Sequence, residues 1–308
     1  MPADYEIAVA GGGPAGLTAA LFAARHGRST VLLDSLGVGG AILNTERVED
    51  FPGFPEGVPG FELAPRMQEQ VMDAGGAFAM GEVRRLEPRG DDWSLVTDDG
   101  DIGAAAVIVA TGSRFRKLGV PREEEFEGRG LSTCASCDGP LYQERLVAVC
   151  GDGDSALLET LELVGHGVRV VLLHPGETLV GQETYRRRVQ DSAQVELRHR
   201  TILEEILGDG EVEGIRVRDV GTGASSTLPV AAVFANVGRV PNTSMLEAVV
   251  ALDEHGHVRT DIWMRTEREG LFAAGDVRAD AAGQAISAAG DGATAAVAAH
   301  RYLADRAR

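Results

Sequence analysis

The chain has 308 residues, enough for about two domains of ordinary size, each with its own core. Hydrophobic residues make up 44% and aromatic residues 5%, with 40 glycines, a composition that favours helices packed on sheets in an α/β protein. The formal charge of −18 argues against a nucleic-acid partner or an anionic membrane. The N-terminus lacks signal-peptide features, and no apolar run reaches the length of a membrane span. We therefore expect a cytoplasmic protein that binds neither nucleic acid nor membrane.

The first predicted element is a strand over 5–10, which runs into the glycine turn Gly11–Gly16. A helix over 17–26 and a strand over 30–33 follow, and the strand ends at Asp34. This unit is typical of dinucleotide binding. Its first glycine permits the tight turn, its third lets the backbone approach a pyrophosphate, and its last lets the helix pack on the strand. Asp34 lies where a carboxylate can bind ribose hydroxyls.

A Gly- and Pro-rich segment over 37–60 comes next and is too long for a simple connector, which favours a binding loop. It is followed by a predicted helix over 60–74 and predicted strands near 81–88, 93–97 and 105–110.

A second buried strand, over 146–150, opens a second glycine turn, in which Gly151, Gly153 and Ala156 hold the positions of a nucleotide-binding turn. A helix to about Val164 and a strand over 169–173 complete a unit like the first. Two such units imply two nucleotide-type folds. The remaining predicted elements are strands over 228–236 and 270–274 and a long helix over 284–304.

Two of the three cysteines, Cys134 and Cys137, are two residues apart, and Asp138 follows directly. In a cytoplasmic protein such a pair is more often catalytic or metal-binding than a structural staple. Zinc usually needs four ligands, and the third cysteine, Cys150, falls in a predicted buried strand, so zinc is disfavoured. The residues alone leave open a zinc site, an inert disulfide and a dithiol–disulfide couple. They also leave open whether Asp138 caps a helix or handles a proton.

Together these motifs resemble the low-molecular-weight thioredoxin reductases over about Tyr5–Leu303. The residues that carry the resemblance are Gly11–Gly16, Val48–Gly53, Ala110–Gly112, Cys134–Gly139, Gly151–Ala156 and Gly275–Asp276. The resemblance implies an α/β homodimer with two Rossmann-like, three-layer domains, the second inserted into the first. Residues 1–115 with 243–308 would form a FAD-binding domain, and 116–242 an NAD(P)-like domain that carries the cysteine pair.

The resemblance also implies roles for these residues. A reduced flavin would pass two electrons to the disulfide, and the dithiol would reduce a thioredoxin-like protein or another disulfide substrate. Cys137 would face the flavin, Cys134 would attack the partner, and Asp138 would act as general acid and base. No metal is implied. The implied FAD contacts are Gly11, Gly13, Pro14, Ala15, Gly16, Asp34, Ser35, Gly40, Ala41, Thr45, Asp50, Val83, Ala110, Thr111, Gly112, Gly275, Asp276, Gln284, Ala285 and Ile286.

The second glycine turn departs from the family pattern. In NADPH-dependent members the next strand ends in a His-Arg-Arg stretch with another arginine beyond it, and these arginines bind the 2′-phosphate. Here the stretch is His174–Val180, which has no arginine, and Glu177 would repel a phosphate. Asp152 and Asp154 add two carboxylates beside the turn. The sequence therefore predicts that NADPH is a poor donor.

Further departures concern neighbouring positions. Arg186–Arg188 could reach back toward the turn, but we expect a solvated helix face. Ala41 and Gly283 replace the family's glutamine and arginine near the flavin ring.

We therefore favour a flavin-dependent disulfide reductase whose donor is NADH, a reduced ferredoxin or a deazaflavin rather than NADPH. The alternatives are an NADPH-dependent thioredoxin reductase with a degenerate site, a FAD- and oxygen-dependent dithiol oxidase acting on a small molecule, and a non-catalytic redox sensor. The intact Cys134–Asp138 set argues against the sensor. Hinges are predicted near Gly112–Arg114 and Gly238–Asn242.

Overall fold

The computed structural model describes residues 3–308, which divide into two compact units. The first comprises the chain up to Arg114 together with Val240–Arg308, and the second comprises Phe115–Arg239. The boundaries that the sequence predicts are after residues 115 and 242. Which ligand each unit binds stays a prediction at this point.

The helices and strands are numbered in chain order. They are β1 (Tyr5–Ala10), α1 (Pro14–Arg25), β2 (Thr30–Asp34), α2 (Gly60–Asp73), β3 (Ala77–Met80), β4 (Val83–Arg89), β5 (Asp92–Thr97), β6 (Ile102–Val109), β7 (Ser113–Phe115), α3 (Glu123–Phe126), β8 (Leu131–Ser132), α4 (Ala135–Asp138), β9 (Leu146–Cys150), α5 (Asp154–Gly165), β10 (Arg169–Leu173), α6 (Glu183–Gln190), β11 (Val195–Arg198), β12 (Thr201–Leu207), β13 (Gly214–Asp219), β14 (Ser225–Leu228), β15 (Val233–Ala235), β16 (Arg239–Pro241), β17 (Leu271–Ala273) and α7 (Ala285–Arg306).

The first unit is built on a sheet in the order β3-β2-β1-β6-β5-β4, with β17 also paired to β6. The strands β3, β2, β1, β6 and β17 are parallel, and β5 and β4 are antiparallel. Alternate residues of β1 belong to two different hydrophobic cores. Ile7 and Val9 pack in one core, and Ala8 and Ala10 pack in the other, so this strand is buried on both faces. Helix α7 crosses α1 closely at Gly292, where a Cβ would overlap the carbonyl oxygen of Ala15.

The second unit contains a parallel sheet in the order β11-β10-β9-β15-β8 and a separate antiparallel sheet, β12-β13-β14. The single strand predicted over 228–236 is wrong. Its start, Leu228, belongs to β14, and only Val233–Ala235 joins the parallel sheet. Pro229 explains the break, because proline has no backbone N–H to donate to a sheet.

Other predicted elements differ mainly at their ends. The helices expected from residues 17 and 156 begin at Pro14 and Asp154, and proline is well suited to the first turn of a helix. The helix face expected at Arg186–Arg188 belongs to α6, whose bounds the sequence did not predict because the helix is strongly polar, with Tyr185 and Val189 buried. None of the helices within residues 3–308 combines the length and hydropathy that crossing a bilayer requires.

Candidate active site

The glycine turn of the first unit has the tight backbone that its sequence predicts. Gly11 has a φ of 108°, and a Cβ there would overlap the carbonyl oxygen of Ala110. A Cβ at Gly16 would overlap the carbonyl oxygen of Gly11, so the first turn of α1 approaches the end of β1 as closely as backbone allows. Nothing lies within 4 Å of the Cβ position of Gly13. The turn is therefore closed on its inner side and open where a phosphate would approach.

The carboxylate of Asp34, at the end of β2, holds this turn from the neighbouring strand. Its Oδ2 accepts the Gly12 N–H at 2.7 Å, and its Oδ1 accepts the Leu36 N–H at 2.9 Å. Each carboxylate oxygen has a further lone pair, which leaves acceptor capacity for hydroxyl groups.

The parallel strands β1, β2, β6 and β17 end at the same edge of their sheet, and the predicted FAD contacts gather there. The Cβ position of Gly275 is 2.9 Å from the Cβ of Ala15, and the Ser113 Oγ is 3.3 Å from the Asp276 Oδ2. The predicted contacts that the turn and these strand ends contribute are Gly11, Gly13, Pro14, Ala15, Gly16, Asp34, Ser35, Ala110, Thr111, Gly112, Gly275 and Asp276.

The other predicted contacts come from flanking segments. The Cβ position of Gly40 is 3.1 Å from the Cα of Gly13, and Ala41 follows it in a 3₁₀ helix. The N–H of Gly81, two residues before Val83, donates to the Asp34 carbonyl at 3.0 Å. Gln284, Ala285 and Ile286 form the start of α7. Thr45 and Asp50 lie further along the segment after the 3₁₀ helix, where their contact with FAD stays a prediction.

Sequence reasoning missed Asp291, which is buried in α7. Its Oδ2 accepts from the Arg278 Nε at 2.6 Å and from the Gly275 N–H at 3.2 Å. The Asp291 carboxylate therefore holds the Gly275–Asp276 turn against α7 through Gly275 and Arg278. The available signal was a lone carboxylate among alanines on the buried face of a helix.

These residues fit a dinucleotide such as FAD. The N-terminal N–H groups of α1 have no partner within the helix and carry partial positive charge, and the first turn of α1 has no acidic residue. A pyrophosphate beside Gly13 would meet these donors in open space, with Asp34 one strand away for ribose hydroxyls.

The glycine turn of the second unit repeats this backbone. Gly151 has a φ of 144°, a Cβ there would overlap the carbonyl oxygen of Asn236, and the space beside Gly153 is open. Asp152 occupies the position of Gly12. Its carbonyl accepts the N–H of Val180 at 2.9 Å and that of Gly181 at 3.3 Å, so the following loop is tied to the turn.

That loop, 174–182, offers little fixed positive charge. His174 is fully buried, its Nε2 lies 2.8 Å from the His199 Nδ1, and burial together with His199 lowers its pKa. The Arg200 Nη1 is 3.7 Å from the Glu177 Oε1, so this guanidinium already faces a carboxylate.

The arginines of α6 only partly match the prediction of a solvated helix face. Arg187 is exposed and pairs with Glu183. Arg186 also pairs with Glu183, but its Nη1 donates to the Leu179 carbonyl at 3.3 Å and so reaches the loop. Both guanidinium groups are therefore already paired with a carboxylate.

Cys134 and Cys137 form a disulfide at the start of the short helix α4, with a Cα–Cα distance of 5.3 Å. The Cys134 Sγ accepts the Cys137 N–H at 3.3 Å. Cys137 is exposed and Cys134 is half-buried.

Asp138 is the last residue of α4 and is half-buried. It stands at the N-cap position of the 3₁₀ helix over 139–142, but its side chain makes no capping hydrogen bond there. Cys150 is buried in β9, and burial raises its pKa to about 12, as suits a core residue.

Glu159 on α5 was also missed by sequence reasoning. Its Oε2 accepts the Ala135 N–H at 2.6 Å, between the two cysteines. Burial raises the pKa of Glu159 to about 8, although the Ala135 N–H opposes this shift. No sequence signal pointed to it, because an acid within a helix usually faces solvent.

The chain is similar to known proteins over nearly its whole length. The pyridine nucleotide-disulphide oxidoreductase family matches residues 5–299. Thioredoxin reductase of Treponema pallidum is 39% identical over 98% of this chain and 98% of its own length. The structure of Lactococcus lactis thioredoxin reductase is 34% identical with a TM-score of 0.95, covering 98% of this chain and 100% of that one. The structure of T. acidophilum thioredoxin reductase is 30% identical with a TM-score of 0.93 and covers 100% of both chains.

The chain belongs to the thioredoxin reductase family. Membership makes it a FAD-dependent disulfide oxidoreductase with two Rossmann-like domains, as the sequence predicts. The family description names a pyridine nucleotide and a disulfide.

Proposed function

We propose that this protein reduces a protein disulfide of the thioredoxin type through the Cys134–Cys137 pair. The observation that carries the proposal is the disulfide itself, which closes a four-residue turn and has a carboxylic acid directly after it. The full-length similarity to thioredoxin reductases supports this class of substrate.

The reduced pair would act by thiol–disulfide exchange. Cys134 is proposed to attack the partner's disulfide, and Cys137 to resolve the mixed disulfide, since both sulfurs lie within one turn. In the oxidised protein Cys137 is the more exposed of the two, so this assignment requires Cys134 to become accessible once the pair is reduced. Asp138 is proposed to hold and return the proton, from its half-buried position beside Cys137.

FAD is proposed to lie on the first glycine turn, where it would supply a two-electron carrier for the disulfide. Gly11–Gly16 would receive the pyrophosphate, Asp34 the ribose hydroxyls, and Gly275–Asp276 a further set of hydroxyls. Arg278 and Asp291 would keep that last turn in place.

The electron donor is proposed to be something other than NADPH. Binding a 2′-phosphate needs fixed guanidinium groups, and the loop after β10 presents Pro175, Gly176 and Glu177 instead. Arg200 and Arg186 are the guanidinium groups that contact this loop, and each is paired with a carboxylate. NADH, a reduced ferredoxin and a deazaflavin are the candidate donors.

The donor is tested by anaerobic titration of the oxidised holoenzyme, with the flavin absorbance as the readout. We expect NADPH at micromolar concentration to leave the flavin oxidised over minutes, while NADH, reduced ferredoxin or reduced deazaflavin bleaches it. Rapid bleaching by micromolar NADPH would overturn this part of the proposal.

The family description names pyridine nucleotides, so an NADPH site that relies on unusual residues is the competing reading. Arg200 is the residue that such a site would use. If NADPH does bleach the flavin, Arg200→Ala should then weaken NADPH binding and leave NADH binding unchanged.

The disulfide chemistry is tested independently of the donor. Chemically reduced holoenzyme is mixed with an oxidised thioredoxin-type protein, and thiol release is measured. We expect Cys134→Ser and Cys137→Ser to lose at least about a thousandfold in turnover while FAD binding is retained. Turnover that survives either substitution would contradict the proposed role of the pair.

Two further features are proposed with this function. A reducing compartment such as the cytoplasm suits an enzyme that opens disulfides. A homodimer is proposed from the family resemblance, and the molar mass from light scattering tests it.

A further inference from the structure

One carboxyl group beside the redox turn has no role in the mechanism proposed above. The redox turn, Cys134–Asp138, packs on α5, and Glu159 of that helix accepts the N–H of Ala135 at 2.6 Å. Ala135 is fully buried, so this hydrogen bond ties the turn to the helix from its inner side.

We propose that Glu159 is a positioning residue of the redox turn that takes up a proton when the Cys134–Cys137 disulfide is reduced. The inference rests on the proposed function, because it requires the pair to cycle between disulfide and dithiol.

The balance of reduction shows why a second proton is needed. Two electrons break the S–S bond, one sulfur takes a proton and becomes a thiol, and the other remains a thiolate. An ionised Glu159 would then place a second negative charge against the same short turn. Like charges at close range favour protonation of one of them. Where Glu159 is ionised in the oxidised protein, it therefore binds a proton from solvent as the thiolate forms.

The surroundings of Glu159 set the pH at which this matters. Burial raises its pKa to about 8 in the oxidised protein, and Glu162 raises it further, while the Ala135 N–H and Arg239 oppose the shift. Two more titratable groups border the turn, Asp138 at the end of α4 and His166, whose ring lies against Gly139.

Glu159 therefore changes the pH dependence of disulfide reduction only above about pH 8. Below about pH 8 Glu159 is protonated in both redox states, so reduction takes up no extra proton there. Above pH 8 it is ionised in the oxidised protein, and the thiolate raises its pKa further in the reduced protein. Reduction then consumes an additional proton, and rising pH disfavours it more steeply.

The test is a thiol–disulfide equilibrium of the FAD-loaded enzyme with oxidised and reduced dithiothreitol, between about pH 6.5 and 9.5. After acid quenching, alkylation and mass spectrometry give the reduced fraction of the pair. Glu159→Gln keeps an oxygen acceptor for Ala135 but cannot titrate. Its equilibrium constant for reduction should match wild type below pH 7.5 and exceed it by up to about tenfold per pH unit above pH 8.

Two variants make the result specific. Glu159→Asp keeps a titratable carboxyl and should retain a pH-dependent difference from Glu159→Gln. Glu205→Gln, on β12, removes another carboxylate of the second unit and should follow wild type. A ratio between Glu159→Gln and wild type that stays constant across the pH range would overturn the inference.

Failure of the proposed function gives a different result. In that case Cys134→Ser and Cys137→Ser keep disulfide-reductase turnover, whatever the equilibrium measurement shows. A pair that is needed for turnover but shows no effect of Glu159→Gln would overturn the inference alone.

Discussion

Gly11 and Gly151 occupy equivalent positions in the two units, and their backbone surroundings are nearly the same. Gly11 donates its N–H to the Leu33 carbonyl at 2.8 Å, and Gly151 donates to the Leu173 carbonyl at 3.0 Å. Both have positive φ, and at both a Cβ would overlap a carbonyl oxygen that follows another strand of the sheet. Backbone geometry alone therefore does not distinguish the two turns.

The side chains around the two turns do distinguish them. Where the first unit has Asp34 at the end of the second strand, the second unit has the buried His174. The first turn of α1 has no acid, whereas α5 begins at Asp154, whose carboxylate accepts the Gln182 N–H at 2.6 Å. The Asp154 carboxylate places a negative charge beside the helix start, where a bound phosphate would be repelled.

A glycine motif shows that a nucleotide-type turn is present but does not identify the nucleotide. The glycines report that a strand, a tight turn and a helix are present, which both units satisfy. Which nucleotide binds depends on the residues after the second strand, and there the two units share nothing. Substitutions at the glycines test the shared backbone, and substitutions after the second strand test the nucleotide preference.

The largest effect is expected at the close helix–turn contact of the first unit. Gly16→Ala would place a methyl group against the Gly11 carbonyl oxygen, and backbone on both sides leaves no room to adjust. We expect a loss of about 3 kcal/mol or more in the free energy of unfolding, with loss of FAD binding. Flavin content after purification and urea denaturation measure both.

The matched control lies in the second turn, where Ala156 stands at the position of Gly16. Ala156→Gly removes a buried methyl group and adds backbone freedom, at a cost of about 1 kcal/mol with FAD content unchanged. Equal losses of stability and of FAD content in the two variants would show that the two turns contribute equally to folding and to FAD binding.

The sequence was sufficient for the parts of the fold that rest on backbone sterics. The positive φ of Gly11, the buried β1 and the α-helix after the turn all follow from residue types whose conformational limits are strict. The close spacing of Cys134 and Cys137 likewise anticipated a disulfide as one of three readings.

Other features depended on contacts between distant residues, which a single sequence does not reveal. Asp291 is 13 residues from Arg278 in the sequence, and Glu159 is 24 residues from Ala135. The strand predicted over 228–236 failed for a local reason instead, because apolar residues on both sides of Pro229 concealed the break.

A smaller effect is expected when arginines are placed in the loop after β10. The triple variant Pro175→Arg, Gly176→Arg and Val180→Arg restores the family's charge pattern. The backbone admits it, since a Cβ at Gly176 would make only ordinary contacts, at 3.4 Å or more, and Val180 is 74% exposed. Charge-assisted hydrogen bonds to the 2′-phosphate should improve NADPH affinity by about a hundredfold, with little change for NADH.

Anaerobic flavin reduction, followed at several concentrations of each nucleotide, measures this change. The control replaces the same three residues with glutamine, which matches the size of the side chains without their charge. An equal gain for NADH and NADPH, or a gain in the glutamine variant, would contradict the view that missing charge weakens NADPH binding.

The smallest effect on stability is expected at Glu159, in the helix that follows the second turn. Position 19 of α1 is a fully buried alanine, and the equivalent position of α5 is Glu159, whose pKa is raised by burial from its ordinary value of 4.5 to about 8. The folded protein therefore holds this proton more tightly than the unfolded chain, and stability falls as pH rises from about 4.5 to 8. Glu159→Gln removes this loss, so the free energy of unfolding of the variant should equal that of wild type near pH 5 and exceed it by about 1 to 2 kcal/mol at pH 8 to 9.

Urea denaturation at both pH values measures the difference in the free energy of unfolding. Glu205→Gln is the control and should stay close to wild type at each pH. A stabilisation that is the same at pH 5 and pH 8 would mean that the amide packs better than the acid, and that the proton on Glu159 contributes nothing.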